Sequence, residues 1–142
     1  MSKNIWLKEF PRLISYTRFV AIKKSIFVPI FAYALHLLGV VTGISYVDAT
    51  SIKVCSNKRI KRNKVFKDLA KRGKTTIGWF YGFKLHLIIN DKGEILAFQI
   101  TPGNISDVSV LESLSKGIFG KLFGDKGYIS SKLGEKFLKK GL

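Results

Sequence analysis

The stretch from Phe83 to Thr101 limits the fold more than any other part of this chain. Phe83, Leu85, Leu87 and Ile89 recur at every second position, with Lys84, His86 and Ile88 between them, which is the period of a β-strand. Asn90-Asp91-Lys92-Gly93 supplies turn residues, and Glu94 to Thr101 reads as the returning strand of a hairpin. Pro102-Gly103-Asn104 ends it. Ser106 is placed to cap a helix, with Asp107 in its first turn and Val108, Leu111, Leu114 and Ile118 as its buried stripe. Lys121 to Ile129 reads as a further strand, broken near Gly124. Ser130 or Ser131 then caps a last amphipathic helix carrying Leu133, Phe137 and Leu138.

Upstream, Gly43 to Val54 (GISYVDATSIKV) is rich in β-branched residues and apolar in its first half, the composition of a central strand covered on both faces. Residues 1–40 read as helical. Phe19, Ile22, Ile26, Ile30, Ala34 and Leu37 fall on one stripe, and Pro29 is expected to bend or divide the segment. No formal charge occurs from Ser25 to Val47, so a membrane span has to be weighed. Pro29, His36, Gly39, Thr42, Gly43 and Ser45 interrupt that stretch, and it runs on into the strand bearing Asp48. A buried helix leading into a buried strand fits better, and no cleavable signal peptide is evident.

The predicted order is helix, β, β, β, α, β, α. The first three strands form an antiparallel meander. The helix before the fourth is a crossover that allows this strand to lie beside the first. The expected architecture is thus an α/β mixed sheet following a helical N-terminal segment.

Charge narrows the function. The net charge is +16, which favours polyanionic partners. The excess concentrates between Lys53 and Lys84, where Lys58, Arg59, Lys61, Arg62, Lys64, Lys67, Lys71, Arg72 and Lys74 face a single acid, Asp68. Such a density suits a surface that tracks phosphates. This basic segment, 55–78, is expected to be a loop with a short helix near Val65 to Lys71, stopped by Gly73. Lys53, Lys58, Arg59, Lys61, Arg62 and Lys84 are the candidate DNA contacts. One cysteine, Cys55, excludes an internal disulfide framework and a multi-cysteine zinc site.

Two acids sit in unusual company. Asp48 lies within the first strand, and Asp125 at the end of the fourth, in FGDKGY. If those strands are neighbours, the two carboxylates converge, and a divalent cation relieves their repulsion. Mg²⁺ suits one or two carboxylates supplemented by phosphate oxygens and water, and a pair of such ions serves phosphodiester chemistry. The simpler alternative is that Asp48 is bonded within a turn and Asp125 caps the last helix or its preceding turn. His86 can equally be a satisfied half-buried residue or a contact to the site. Asp107 is explained by helix capping. Trp79, Phe80 and Tyr81 suit the core better than base stacking.

Taken together and in register, ISYVDATSIKVCSNKRI, GWFYGFKLHLIIND, ITPGNISD and LFGDKGYIS resemble the transposases of insertion-sequence family 982, over roughly residues 40 to 142. Ala49 and Ser56 depart from a serine and a histidine common there. The resemblance implies a ribonuclease-H-like DDE domain, partial over 41–142, that cuts and joins DNA at transposon ends with two Mg²⁺ or Mn²⁺ ions. Asp48 matches its first acid and Asp125 its second, both as catalytic metal ligands. The third, a glutamate on a later helix, has no match, because Glu135 comes too early. The expectation is therefore a fragment incomplete at the C-terminus, with part of its sheet uncovered and inactive alone. Its partners would be double-stranded DNA (transposon ends and target) and either a second copy or a complementing downstream fragment. Its place would be the cytoplasm, with the nucleoid. Other readings are half of a split transposase, a non-catalytic DNA-binding or inhibitory protein, and a small basic membrane protein anchored by residues 26–46.

Overall fold

The computed structural model describes residues 13–128 and 131–138. Expectations for residues 1–12, for Ile129 and Ser130, and for the side chains of Ser131 and Leu133 lie outside the described residues. The chain divides into two units, Met1–Leu37 and Leu38–Leu142.

The first unit holds one helix, α1 (Tyr16–His36). The Ser15 side chain accepts the Arg18 backbone N–H and so caps it. Pro29 lies inside the helix without dividing it. The expected buried stripe is not found, since none of its residues is buried. Apolar residues surround the axis: Phe19, Val20, Phe27, Val28, Ile30, Phe31, Tyr33 and Leu35 are all exposed. A helix apolar on every side has no single face to dock, which is why the stripe was misleading. By length and composition alone it is able to cross a membrane.

The second unit is a mixed sheet with one covering helix. Its strands are β1 (Ile44–Cys55), β2 (Lys71–Thr75), β3 (Gly78–Asn90), β4 (Ile95–Pro102) and β5 (Lys121–Gly124). β3 is the spine. It pairs antiparallel with β1 along one edge, and with β2 and then β4 in tandem along the other. β5 lies parallel to β1, with Ile44 opposite Lys121 and Val47 opposite Gly124. The meander and the crossover are therefore those expected. The crossover helix α2 (Asp107–Leu114) starts at Ser106, whose hydroxyl accepts the Ser109 N–H. Its buried residues are Val110, Leu111 and Leu114, with Val108 only half-buried.

Three expectations need correction. The basic segment 55–78 is not one loop: a 3-10 helix (Asn57–Arg62) is followed by turns and then by β2. β2 escaped notice because KRGKT has no apolar alternation. It is a ribbon held by backbone pairing to β3, and its cationic side chains stay in solvent. No helix forms near Val65 to Lys71, where Phe66 takes a left-handed backbone (φ 57°) and sets its ring edge-on against Phe83 at 5.5 Å. Gly73 is the middle of β2 rather than a helix stop. Finally, β1 is covered on one face only. Ser45 and Val47 are buried, whereas Ile44, Tyr46 and Asp48 are exposed.

The core is correspondingly one-sided. Val47 and Ile88 meet Val110, Leu111, Leu114, Ile118 and Tyr128 on the α2 side. On the other face Tyr46 and Phe123 stack on each other at 5.6 Å while each remains nearly half exposed. Gly120 makes the β1–β5 junction possible. Its φ is +93°, and a side chain there would strike the backbone of Gly43, whose carbonyl accepts the Lys121 N–H at 2.8 Å. β5 ends at Gly124, earlier than expected. A 3-10 turn (Lys126–Tyr128) and helix α3 (Ser131–Leu138) come after it.

Candidate functional site

Asp48 and Asp125 come from elements distant in sequence that the sheet makes neighbours. Val47 of β1 pairs with Gly124 of β5, so each aspartate is the next residue along adjacent parallel strands. Both are exposed. In each, one carboxylate oxygen accepts the N–H of the following residue: Asp48 from Ala49 at 2.7 Å, Asp125 from Lys126 at 2.6 Å. Neither is a buried, costly charge, as a strand covered on both faces would have required. The second oxygen of each has no hydrogen-bond partner among the described residues.

Beneath this pair lies a polar network. His86 is fully buried and sits between Tyr128, at 3.2 Å from Nδ1, and Thr101, at 2.9 Å from Nε2. Burial lowers its pKa most, Asp107 partly opposes that, and Lys84 lowers it further. A neutral imidazole that accepts the Tyr128 O–H at Nδ1 and donates from Nε2 to Thr101 satisfies both contacts. Burial also pushes the Tyr128 phenol well above its ordinary range, as do the negative charges of Asp107, Asp48 and Asp125 in that order. Tyr128 is thus a fixed donor surrounded by three acids. His86 is fully rather than half buried, and both its ring nitrogens have partners.

Ser106, not Asp107, caps α2, and the capping reading of Asp107 gives way to an ion pair. The Asp107 Oδ1 accepts from the Lys84 ammonium at 2.9 Å, and the same ammonium donates to the Ile105 carbonyl at 3.1 Å. Lys84 is therefore drawn inward, unlike the other candidate DNA contacts. An open cleft of about 650 Å³ is lined by Ala49, Ser51, Lys84, Asp107, Asp125 and Lys126, with Lys74, Thr75 and Thr76 at its rim. Asp48, on the opposite side of β1 from Ala49, does not line it.

Lys58, Arg59, Lys61 and Arg62 are all exposed on the 3-10 helix, and Lys53 is exposed near the end of β1. Lys58, Arg59 and Arg62 line a second open pocket, of about 780 Å³, with Val54, Cys55 and Asn63. The three aromatics of β3 separate. Phe80 and Tyr81 are buried, while Trp79 is 56% exposed, with the cations of Arg72 and Lys74 near its ring. From the sequence, the core is favoured over base stacking for all three aromatics, Trp79 included, and this group goes unseen. Its only signal was Arg72-x-Lys74 lying opposite Trp79, which is legible only once β2 is known to pair with β3.

The donor chemistry of Asp48 and Asp125 fits a hard divalent cation: two exposed carboxylates, each with an uncommitted oxygen, leaving room for water and phosphate ligands. Among the described residues no group of three or more His, Cys, Asp or Glu is placed to hold a metal.

A mixed sheet with one carboxylate in β1 and another just past the end of its parallel neighbour β5, in a strongly basic chain, defines an α/β domain suited to polyanionic partners. Residues 38–142 match the family model of the transposase DDE domain, and the chain belongs to that family. Membership carries a role in DNA transposition, with DNA as the partner. No curated protein and no solved structure matches the chain.

Proposed function

We propose that this chain supplies two acids and the DNA-holding surface of an insertion-sequence transposase, of the kind found in insertion-sequence family 982. The observation that supports the proposal is the β1–β5 register, in which Val47 lies opposite Gly124, the residues just before Asp48 and Asp125. Together they would hold the divalent ions, Mg²⁺ or Mn²⁺, two in a complete site. Such ions activate a water or a 3′-hydroxyl and stabilise the leaving oxygen. Lys53, Lys58, Arg59, Lys61 and Arg62 would grip phosphates. Lys84 would serve the cleft from its bond to Asp107. Strand cleavage in this reading also uses a third carboxylate, and a second copy or a complementing fragment is proposed as a partner. The expected location is the cytoplasm, on the nucleoid.

The test is Mn²⁺ binding by calorimetry, alongside DNA binding by the same preparation. Wild type should bind Mn²⁺, and Asp48→Asn or Asp125→Asn should weaken that binding by about tenfold or more through loss of a charged ligand. Equal Mn²⁺ affinity in wild type and both variants would refute the metal assignment. A second reading, a DNA-binding protein without catalysis, is favoured by the lining of the cleft, which includes Asp125 and not Asp48. It requires the double Asn variant to bind DNA as wild type does, with or without Mg²⁺.

A further inference from the structure

The β2–β3 hairpin places an exposed aromatic ring within reach of two cations from the same side of β2, next to the cleft that holds Asp125. Lys74 stands directly opposite Trp79 across the β2–β3 ladder, and Arg72 opposite Tyr81, so these side chains share one side of the hairpin. The Arg72 guanidinium lies 5.3 Å from the Trp79 ring centroid and the Lys74 ammonium 5.9 Å from it. Contacts of this kind hold a ring in place. More than half of Trp79 nonetheless remains in solvent, whereas its neighbours Phe80 and Tyr81 are buried. Ile77, at the turn, is 91% exposed. The core therefore makes no use of Trp79, and a large apolar ring is kept at the surface, oriented by charge. Lys74 links this platform to the cleft, since it and Thr75 also line the space containing Asp125 and Lys126.

From this arrangement we infer that Trp79, with Arg72 and Lys74, is a binding site for an unpaired nucleotide. The base stacks on the indole, and the two cations neutralise its flanking phosphates. Stacking accepts any base, because every base has a π-face, and the cations add affinity without reading sequence. A duplex offers no free face to the ring, so this site distinguishes single-stranded or frayed DNA from paired DNA. The strand so held continues toward the Asp125 cleft. The inference rests on the DNA-binding reading above, but it concerns residues distinct from the phosphate-gripping 3-10 helix.

The experiment uses the full chain with Trp6→Phe, which leaves Trp79 as the sole tryptophan. A short homothymidine strand and a duplex of equal length are titrated at one salt concentration. The single strand should quench Trp79 emission, and the duplex should quench it far less. In the otherwise native chain, Trp79→Ala should weaken single-strand binding by about tenfold or more, the size of one stacked base, with duplex affinity held. Trp79→Phe should restore most of the loss. Trp79 is exposed, so the variants should keep the wild-type thermal unfolding midpoint, and that midpoint is checked. Single-strand binding that leaves the indole unquenched, quenching by the duplex equal to that by the single strand, or an Ala variant that loses both forms equally or neither, overturns this inference alone. If wild type binds neither form, the DNA-binding reading fails as well.

Discussion

At the scale of single residues, the buried network near the acidic pair keeps two groups neutral. His86 has its pKa lowered mainly by burial, so the unfolded chain takes up a proton before the folded one does. Stability that is fully present above the ordinary histidine range should fall as pH drops from about 6.5 toward the folded value. Tyr128 is shifted the other way. Its phenol stays protonated in the fold when an unfolded tyrosine has begun to ionise, so stability should decline as pH rises above its ordinary value of 10.0. Thermal melts across pH should show both slopes. His86→Gln should flatten the acid limb and Tyr128→Phe the alkaline one, while each loses about 1–3 kcal/mol by stranding a buried partner. An acid limb unchanged in His86→Gln would mean that other groups set it. These two residues were only partly legible in the sequence. Alternation along β3 reveals which side His86 takes, but its partners, Thr101 and Tyr128, come from elements whose packing no local pattern encodes.

At the scale of elements, alternation and turn chemistry did well where side chains alternate between core and solvent. β3, the Asn90–Gly93 turn and β4 were read correctly for that reason, and Ser106 announced α2. The readings failed where structure is held by something other than apolar periodicity. β2 exists because β3 offers it a backbone edge, and KRGKT contains nothing apolar to signal it. The stripe on α1 suggested burial, yet apolar residues surround that helix. The same logic yields a test. Because Leu38–Leu142 forms its own compact unit, a chain starting at Leu38 should still unfold cooperatively and bind DNA within about twofold of the full chain. Loss of cooperative unfolding would show that the helix belongs to the core. As for the site, the positions of Asp48 and Asp125 could be matched to a motif, and their adjacency required only the crossover. The involvement of Asp107 could not be foreseen, because it depends on the start of α2 meeting Lys84 of β3, nor could the exposure of Trp79, whose cationic neighbours lie across a strand pair.

For the whole molecule, the governing quantity is a net charge of +16 concentrated on one stretch of chain. Affinity for duplex DNA should fall steeply with salt, the logarithmic slope counting the phosphates neutralised. Replacing Lys58, Arg59, Lys61 and Arg62 with glutamine should lower that slope by about one for each residue in phosphate contact. Lys84→Gln should change the slope least, because its ammonium is already bonded to Asp107 and Ile105. An unaltered slope in the quadruple variant would place the DNA elsewhere on the surface.

The parallel seam between β1 and β5 has a further consequence, for the order in which the molecule assembles. Its pairing is brief, from Ile44–Lys121 to Val47–Gly124, and it joins opposite ends of the sheet unit. Closing so long a loop costs chain entropy that few contacts repay, whereas the β3–β4 hairpin closes locally. The hairpin should therefore form early and the seam late. The same short seam should also be among the first parts of the sheet to open in the native state. The two aspartates become neighbours only in the last step of folding, so a chain still emerging from the ribosome, already strongly basic, would meet DNA before it had a paired acidic site.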